Sequence, residues 1–280
     1  MFFQPAIGLG GYSGWLILEK TEVRQREVFE KSPVLDRDID YFRENISGAL
    51  SAEDLVNDRR LLTVALGAFG LGEEIGKKAF IQKILEEGTE KSDALANRFN
   101  EPRFKALSDA FGYGNIQGGS SVLLESFRED IIARFKSREF DRAVGEVDND
   151  MRLALNFRQD IPAIADSDAT ETTAWFQIMG QQPLREVIAT ALNIPQSVSQ
   201  LDIDRQQEIF AEKADSVLGD SDPAMFNDPE KIDEVLRRFF LTRQVENGPS
   251  PLTPGFAALT LLQGPSLGGG AIENLLISQI

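Results

Sequence analysis

Phe99-Asn100-Glu101-Pro102 returns later in the chain as Phe226-Asn227-Asp228-Pro229. The quartet has a physical reading as the start of a helix. Asn is a preferred N-cap, because its side-chain oxygen accepts a bond from an otherwise unpaired backbone N–H. The acid that follows favours the positive end of the helix. Pro lacks only a donor that has no partner in the first turn. With Asn100 as N-cap, Phe99 and Phe104 take the two positions of a hydrophobic staple. With Asn227 as N-cap, Glu230 takes the capping-box position.

Two further blocks recur upstream of the quartets, in the same order. Phe42-Arg43-Glu44-Asn45-Ile46 faces Phe157-Arg158-Gln159-Asp160-Ile161 at an offset of 115. LLTVALGAFGL, from Leu61, faces LREVIATALNI, from Leu184, at 123, and the quartets stand 127 apart. Insertions in loops between preserved helices produce such slowly growing offsets. The expected architecture is all-α, with two copies of one helical module from an internal duplication and flexible Gly/Pro-rich termini. A flexible leader is expected over 1–13 and copy 1 over 14–115. A connecting helix and copy 2 follow over 116–243, and a Pro/Gly-rich tail over 244–280.

Periodicity supplies the helices between these marks. Ser32-Pro33 starts one, with Leu35, Ile39, Phe42 and Ile46 as its apolar stripe. Ser51 with Asp54 reads as another cap. Leu61–Phe69 is apolar almost all round, which predicts a central buried helix closed by Gly70. A helix is expected over Glu73–Glu87, with Ile75, Ala79, Ile84 and Leu85 inward and Gly88 as its stop. Ser92 is read as the cap of a short helix to Arg98, and the quartet helix is expected to end at Phe111-Gly112. The connecting helix, about Ser120–Lys136, carries Phe127, Ile131 and Phe135 on one face. Asp141–Asp160 is expected to lead into copy 2, and Trp15 and Trp175 are expected in the core.

Composition excludes several chemistries. The chain has no Cys and no His, so it has no disulfide, no thiolate metal site and no imidazole ligand or base. Lys plus Arg is 29 against 45 Asp plus Glu, a net charge of −16. That field repels nucleic acid and anionic membranes, and Arg59-Arg60, Lys77-Lys78 and Arg237-Arg238 are isolated basic pairs. No run approaches the ~20 apolar residues of a membrane helix, and the N-terminus lacks the pattern of a Sec signal. On these grounds a cytoplasmic location is expected. The tail AIENLLISQI, Ala271–Ile280, is apolar and weakly amphipathic, fit either to dock on a partner or to fold back on the body.

Four candidate sites fail as sequence patterns. Asp36-x-Asp38-x-Asp40 opens like a calcium loop, but Tyr41 and Ser47 stand where Gly and a bidentate acid are needed. A solvated helix face accounts for it, and for Asp148-x-Asp150 and Asp202-x-Asp204. Gly8–Gly14 resembles a phosphate-cradling turn but lacks the required spacing and the preceding strand. No catalytic, cofactor-binding or metal-ligating residue is assigned, and no cofactor is expected.

Tyr41–Gly114 carries the markers AEDLVNDRRLL, ALGAFGL, KAFIQKILEEGT, LANRF and AFGYG, and FQPAIGLGGYSGW precedes it. These resemble the bacterial family called domain of unknown function 1217. Members of that family stand in flagellar gene clusters of alphaproteobacteria, and some carry several copies of the unit. The resemblance implies a flagellar role and no catalytic residues. Copy 2 departs from the pattern: TETTAWFQIMGQQ stands where copy 1 has AEDLVNDRR, and NIPQS where it has GLGEE. The leading expectation is a non-enzymatic flagellum-associated protein acting through protein partners, as a structural component or an assembly factor. The alternatives are a cytoplasmic chaperone or regulator of a flagellar partner, and a carboxylate-dependent enzyme.

Overall fold

The structure is a computed structural model that describes residues 5–247 apart from positions 9, 100 and 117. Every regular element among the described residues is helical. In chain order they are α1 (Gly11–Phe29), α2 (Pro33–Asn45), α3 (Ala52–Asn57), α4 (Arg59–Ala68), α5 (Lys78–Glu87), α6 (Leu95–Arg98) and α7 (Pro102–Phe111). There follow α8 (Glu125–Gly145), α9 (Asn149–Ala165), α10 (Glu171–Gly180), α11 (Gln182–Ala191), α12 (Ile203–Leu218) and α13 (Pro229–Glu246). Short 3₁₀ turns stand between them, two of which matter here: Gly72–Gly76 after α4 and Gln196–Gln200 after α11.

The quartets do begin helices, but the cap is the acid and not the asparagine. Glu101 caps α7, and Asp228 caps α13 by accepting from the Glu230 N–H at 3.0 Å. Proline is the reason. The residue before it is pushed out of helical backbone into the extended region, which is the conformation an N-cap needs. Glu101 (φ −93, ψ 98) and Asp228 (φ −89, ψ 116) both adopt it, leaving each Pro at the first helical position. Asn227 instead ends a 3₁₀ turn, and its amide donates to the Ala165 carbonyl at 3.1 Å. Glu230 thereby moves out of the capping-box position. Asn100 lies outside the described residues. The staple survives the shift in register, since the Phe99 and Phe104 rings lie 5.9 Å apart and both meet Phe80 at 5.3 Å.

Other expectations were met residue by residue. Ser51 and Asp54 form a reciprocal capping box on α3. Leu35, Ile39, Phe42 and Ile46 are all buried. Leu61, Leu62, Val64, Ala65, Leu66 and Ala68 are buried too, which makes α4 a central helix. Trp15 and Trp175 are core residues.

Four boundaries differ. The Glu73–Glu87 helix is broken, because Gly76 gives the chain a place to turn and α5 begins only at Lys78; Ala79 is exposed. The short helix starts at Leu95, whose N–H is taken by the Glu87 carboxylate at 2.6 Å, and not at Ser92. The connecting helix runs on to Gly145, so Asp141 belongs to it, and α9 starts afresh with Asp148 as its cap. The leader read over 1–13 is helical from Gly11, and before that Ile7 is buried and Gln25 holds both backbone groups of Ala6. The tail read over 244–280 lies outside the described residues from 248 onward.

The order of helices on the two sides of α8 is partly alike: α2, α3, α4, a 3₁₀ turn, α5 and a Pro-started α7 stand before it, and α9, α10, α11, a 3₁₀ turn, α12 and a Pro-started α13 after it, while α6 and the turns at Ile46–Gly48 and Pro223–Asn227 interrupt the parallel. α4 and α11 also end alike. Gly70 (φ +68) and Asn193 (φ +51) take the left-handed conformation, and each is followed by an N–H that reaches back five residues. These are Leu71 to Leu66 and Ile194 to Ala189, both 2.8 Å. This is a Schellman stop, and Asn is among the few non-glycine residues suited to it.

The buried apolar side chains form one cluster that runs from Ile7 to Phe240. α8 joins its halves, packing against α4, α2 and α1 on one side and α9 on the other. The contact with α4 depends on Gly67, where an added Cβ would lie 2.7 Å from the buried Phe135 ring. Gly67→Ala is therefore expected to destabilise the protein by about 1–2 kcal/mol, overpacking outweighing the ~1 kcal/mol that alanine gains in a helix. Urea denaturation checks this, and an unchanged or raised midpoint would contradict it.

Candidate functional site

The strongest concentration of buried charge lies where α1, α8 and α9 meet. Arg26 of α1 donates to Glu22 on its own helix at 2.8 Å and to Asp141 of α8 at 2.8 Å. The same guanidinium reaches the Ser137 carbonyl and hydroxyl, each at 3.2 Å, and sits 4.3 Å from the centre of the Phe140 ring. From α9, Arg158 closes on Glu22. Arg138 of α8 pairs with Asp160 of α9 and donates to Asn156 at 3.2 Å. Three helices are thus tied by alternating charges.

Asp141 is 2% exposed, and its second oxygen has no partner among the described residues. Burial pushes its carboxyl up to about 6, against the opposing pull of Arg26 and Arg138. For Glu22, burial also acts upward. There the hydrogen bonds and charges of Arg158 and Arg26 win and hold the carboxyl below its usual range.

A cavity of about 160 Å³ opens beside Asp141, lined also by Arg103, Arg138, Arg142, Arg152 and Gln181. Its cations are engaged by the protein itself. Arg103 grips Glu101 and the Gly70 carbonyl, Arg142 pairs with Glu139 and Glu146, and Arg152 donates to Asn149. Asp150 of α9 is the other carboxyl raised by burial, and it faces Arg243 at 3.3 Å. These two acids stand on different helices, each against its own arginine.

The acidic stretches read as solvated faces divide. On α2, Asp38 is half-buried beside Arg60 and Asp40 is exposed beside Arg43. Asp148 and Asp150 are not a solvated face: the first caps α9 and the second is partly buried under α13. Among the described residues no cluster of three or more Asp or Glu could hold a metal ion. The Gly8–Gly14 stretch enters α1, with Gly14 buried.

The marker AEDLVNDRRLL is a helix-start clamp. Asp58 caps α4 through the Arg60 and Leu61 N–H groups at 2.9 and 3.1 Å and accepts from the Tyr41 hydroxyl at 2.6 Å. Burial acts to raise its carboxyl, but these bonds outweigh burial and lower it. Arg60 lies over the Tyr41 ring at 3.9 Å.

The surface carries two apolar concentrations that sequence periodicity did not single out. Six of the fourteen exposed large apolar side chains among the described residues lie on α1 and α13: Leu16, Ile17, Val23, Val28, Leu241 and Val245. Leu50, just before α3, and Ile116, Leu123 and Leu124, between α7 and α8, form the second group. A separate open groove of about 720 Å³ runs between α11, α12 and the end of α13, with Ala189, Ile194, Val198 and Phe210 in its lining.

Comparison with known proteins gives two matches. The family model described as "Protein of unknown function (DUF1217)" matches residues 68–232, more than half of the chain. That span runs from the end of α4 into α13, so it takes in the second half and leaves the AEDLVNDRRLL marker outside. The crystal structure of protein AGR_C_984 from Agrobacterium tumefaciens is similar at a TM-score of 0.70 and 25% identity. The match covers 87% of this chain and 100% of that one. No curated protein matches.

The junction makes a pH-dependent prediction. The Asp141 carboxyl is raised in the folded state, so its protonated form stabilises the fold fully below about 4, and that contribution is lost as pH rises through about 6. Relative to Asp141→Asn, the parent is expected to lose roughly 2 kcal/mol between pH 4 and pH 7. Urea denaturation of both proteins at the two pH values checks this, and a pH-independent difference would contradict it.

Proposed function

The chain belongs to this family, and we propose that it is a non-enzymatic, flagellum-associated protein that acts through protein–protein contacts, as a structural component or an assembly factor. The observation that carries the contact reading is the exposed apolar group Leu50, Ile116, Leu123 and Leu124 on a chain with net charge −16. A strongly acidic surface has no use for a group of large apolar side chains unless something covers them. The flagellar context comes from the family resemblance, and the location that goes with it is cytoplasmic or flagellum-associated.

We also read the body as one module used twice. The order of elements on either side of α8, the paired Schellman stops at Gly70 and Asn193, and the acid–Pro starts of α7 and α13 support that reading.

A second reading, a cytoplasmic chaperone of a flagellar partner, has the 720 Å³ groove in its favour, since a partner helix could lie there. Deleting the gene in its native bacterium is expected to reduce swimming or filament number. Probing purified basal bodies and filaments separates the readings: a component co-purifies with them, and a chaperone stays in the cytosolic fraction. Swimming and filament assembly left intact by the deletion would contradict both.

A further inference from the structure

α1 and α13 run antiparallel. The Trp15 ring stacks on Phe240 at 5.6 Å, and Gly11 lies against Gln244, where an added Cβ would come within 2.3 Å of the amide nitrogen. Rising along α1 is therefore descending along α13. In such a pair, the residue after each contact residue turns by about 100° to the same side of the interface. Leu16 follows Trp15 and Leu241 follows Phe240, while Tyr12 follows Gly11 and Val245 follows Gln244. Val23 continues the Leu16 stripe two turns further along α1. The shared side thus carries Leu16, Val23, Leu241 and Val245 at 37, 75, 47 and 82% exposure.

The chain itself supplies a fitting occupant. α13 ends at Glu246, beside Val245, and residues 248–280 follow directly. Those residues contain one charged side chain, Glu273, in a protein with 74 Asp, Glu, Lys and Arg, taking 45 acidic and 29 basic together. They hold two apolar segments, Phe256–Leu262 and Ala271–Ile280. In the second, Ile272, Leu275, Leu276 and Ile280 recur at helical spacing and define one stripe. The length of chain from Asn247 to Phe256 can span at most about 30 Å. That exceeds the ~18 Å along α1 from Leu16 to Val28, so every part of the face is within range.

We infer that the outer face of α1 and α13 is the seat of the chain's own C-terminal segment, residues 256–280, which folds back from the end of α13. Two features favour it over a partner: the occupant is tethered at the edge of the face, and an apolar segment with a single charged side chain, Glu273, meets little charge repulsion from an acidic body. The assignment stands apart from the flagellar reading and from the duplication.

Because the chain has no cysteine, two introduced cysteines would be its only thiols. The full-length protein is made as Val23→Cys with Leu259→Cys and as Val23→Cys with Leu276→Cys. Ile116→Cys, at a 92% exposed site elsewhere, replaces Val23→Cys in the controls. A short thiol crosslinker is applied to dilute protein. The Val23 pairs are expected to give crosslinked monomer at least about tenfold faster than the Ile116 pairs, because seating raises the local concentration of the tail thiol. Equal rates would overturn the inference. Covalent dimers as the main product would overturn it too, assigning the face to a second copy's tail. Hydrogen exchange on the unmodified chain gives an independent readout: amides of residues 272–280 are expected to be protected, and unprotected rates would contradict the seat.

Discussion

Everything in this fold is arranged around α8 lying close on α4. The approach needs a position on α4 with no side chain, and Gly67 provides it under the Phe135 ring. Phe135, Ile131 and Ile132 then complete the burial of a helix that is apolar nearly all round. α4 could not be so apolar if α8 did not cover it. Helix α11, which ends in the same kind of Schellman stop, is under no such demand. Three residues before Asn193 it carries Thr190, where α4 carries Gly67 three before Gly70, and the face holding Arg185 and Thr190 borders the open groove. The two halves thus differ where one has a covering helix and the other does not.

The same helix carries polar chemistry on its other side. Arg26, Asp141, Arg138 and Asp160 join α1, α8 and α9 in a region of low exposure. Buried ion pairs add little net stability over apolar contacts of the same shape, but removing one partner is costly, about 3–5 kcal/mol. Such a network favours one packing of the helices over others of equal hydrophobicity. Asp141 is buried deeply enough for its carboxyl to be raised despite two arginines, so part of the fold's stability is given up near neutral pH at this point. The gain is orientation: Arg26 crosses from α1 and fixes its rotation on α8.

Helices whose signal is local were legible in the sequence. The stripe of α2, the capping box of α3 and the apolar run of α4 follow from periodicity and cap chemistry that act within a few residues. The quartets gave the right element and the wrong cap, because proline constrains the residue before it more strongly than asparagine's capping preference acts. A run with an adequate stripe over 73–87 still broke at Gly76, since backbone entropy there outweighed weak burial. The charged junction was not legible. Glu22, Arg26, Asp141 and Arg158 are ordinary helix residues in sequence, and only the crossing of three helices brings them together. The single available hint was an arginine and an acid recurring on the inward face of α1.

One measurement bears most directly on the claim that α8 makes a single unit of the two halves. Native-state hydrogen exchange in increasing denaturant would follow Leu62 and Leu66 in α4 alongside Val187 and Ile188 in α11. If α8 couples the halves, these amides exchange only through one opening, with the same free energy and the same denaturant slope. If the α11 amides remain protected after those of α4 have opened, the halves fold independently and the account of α8 is wrong.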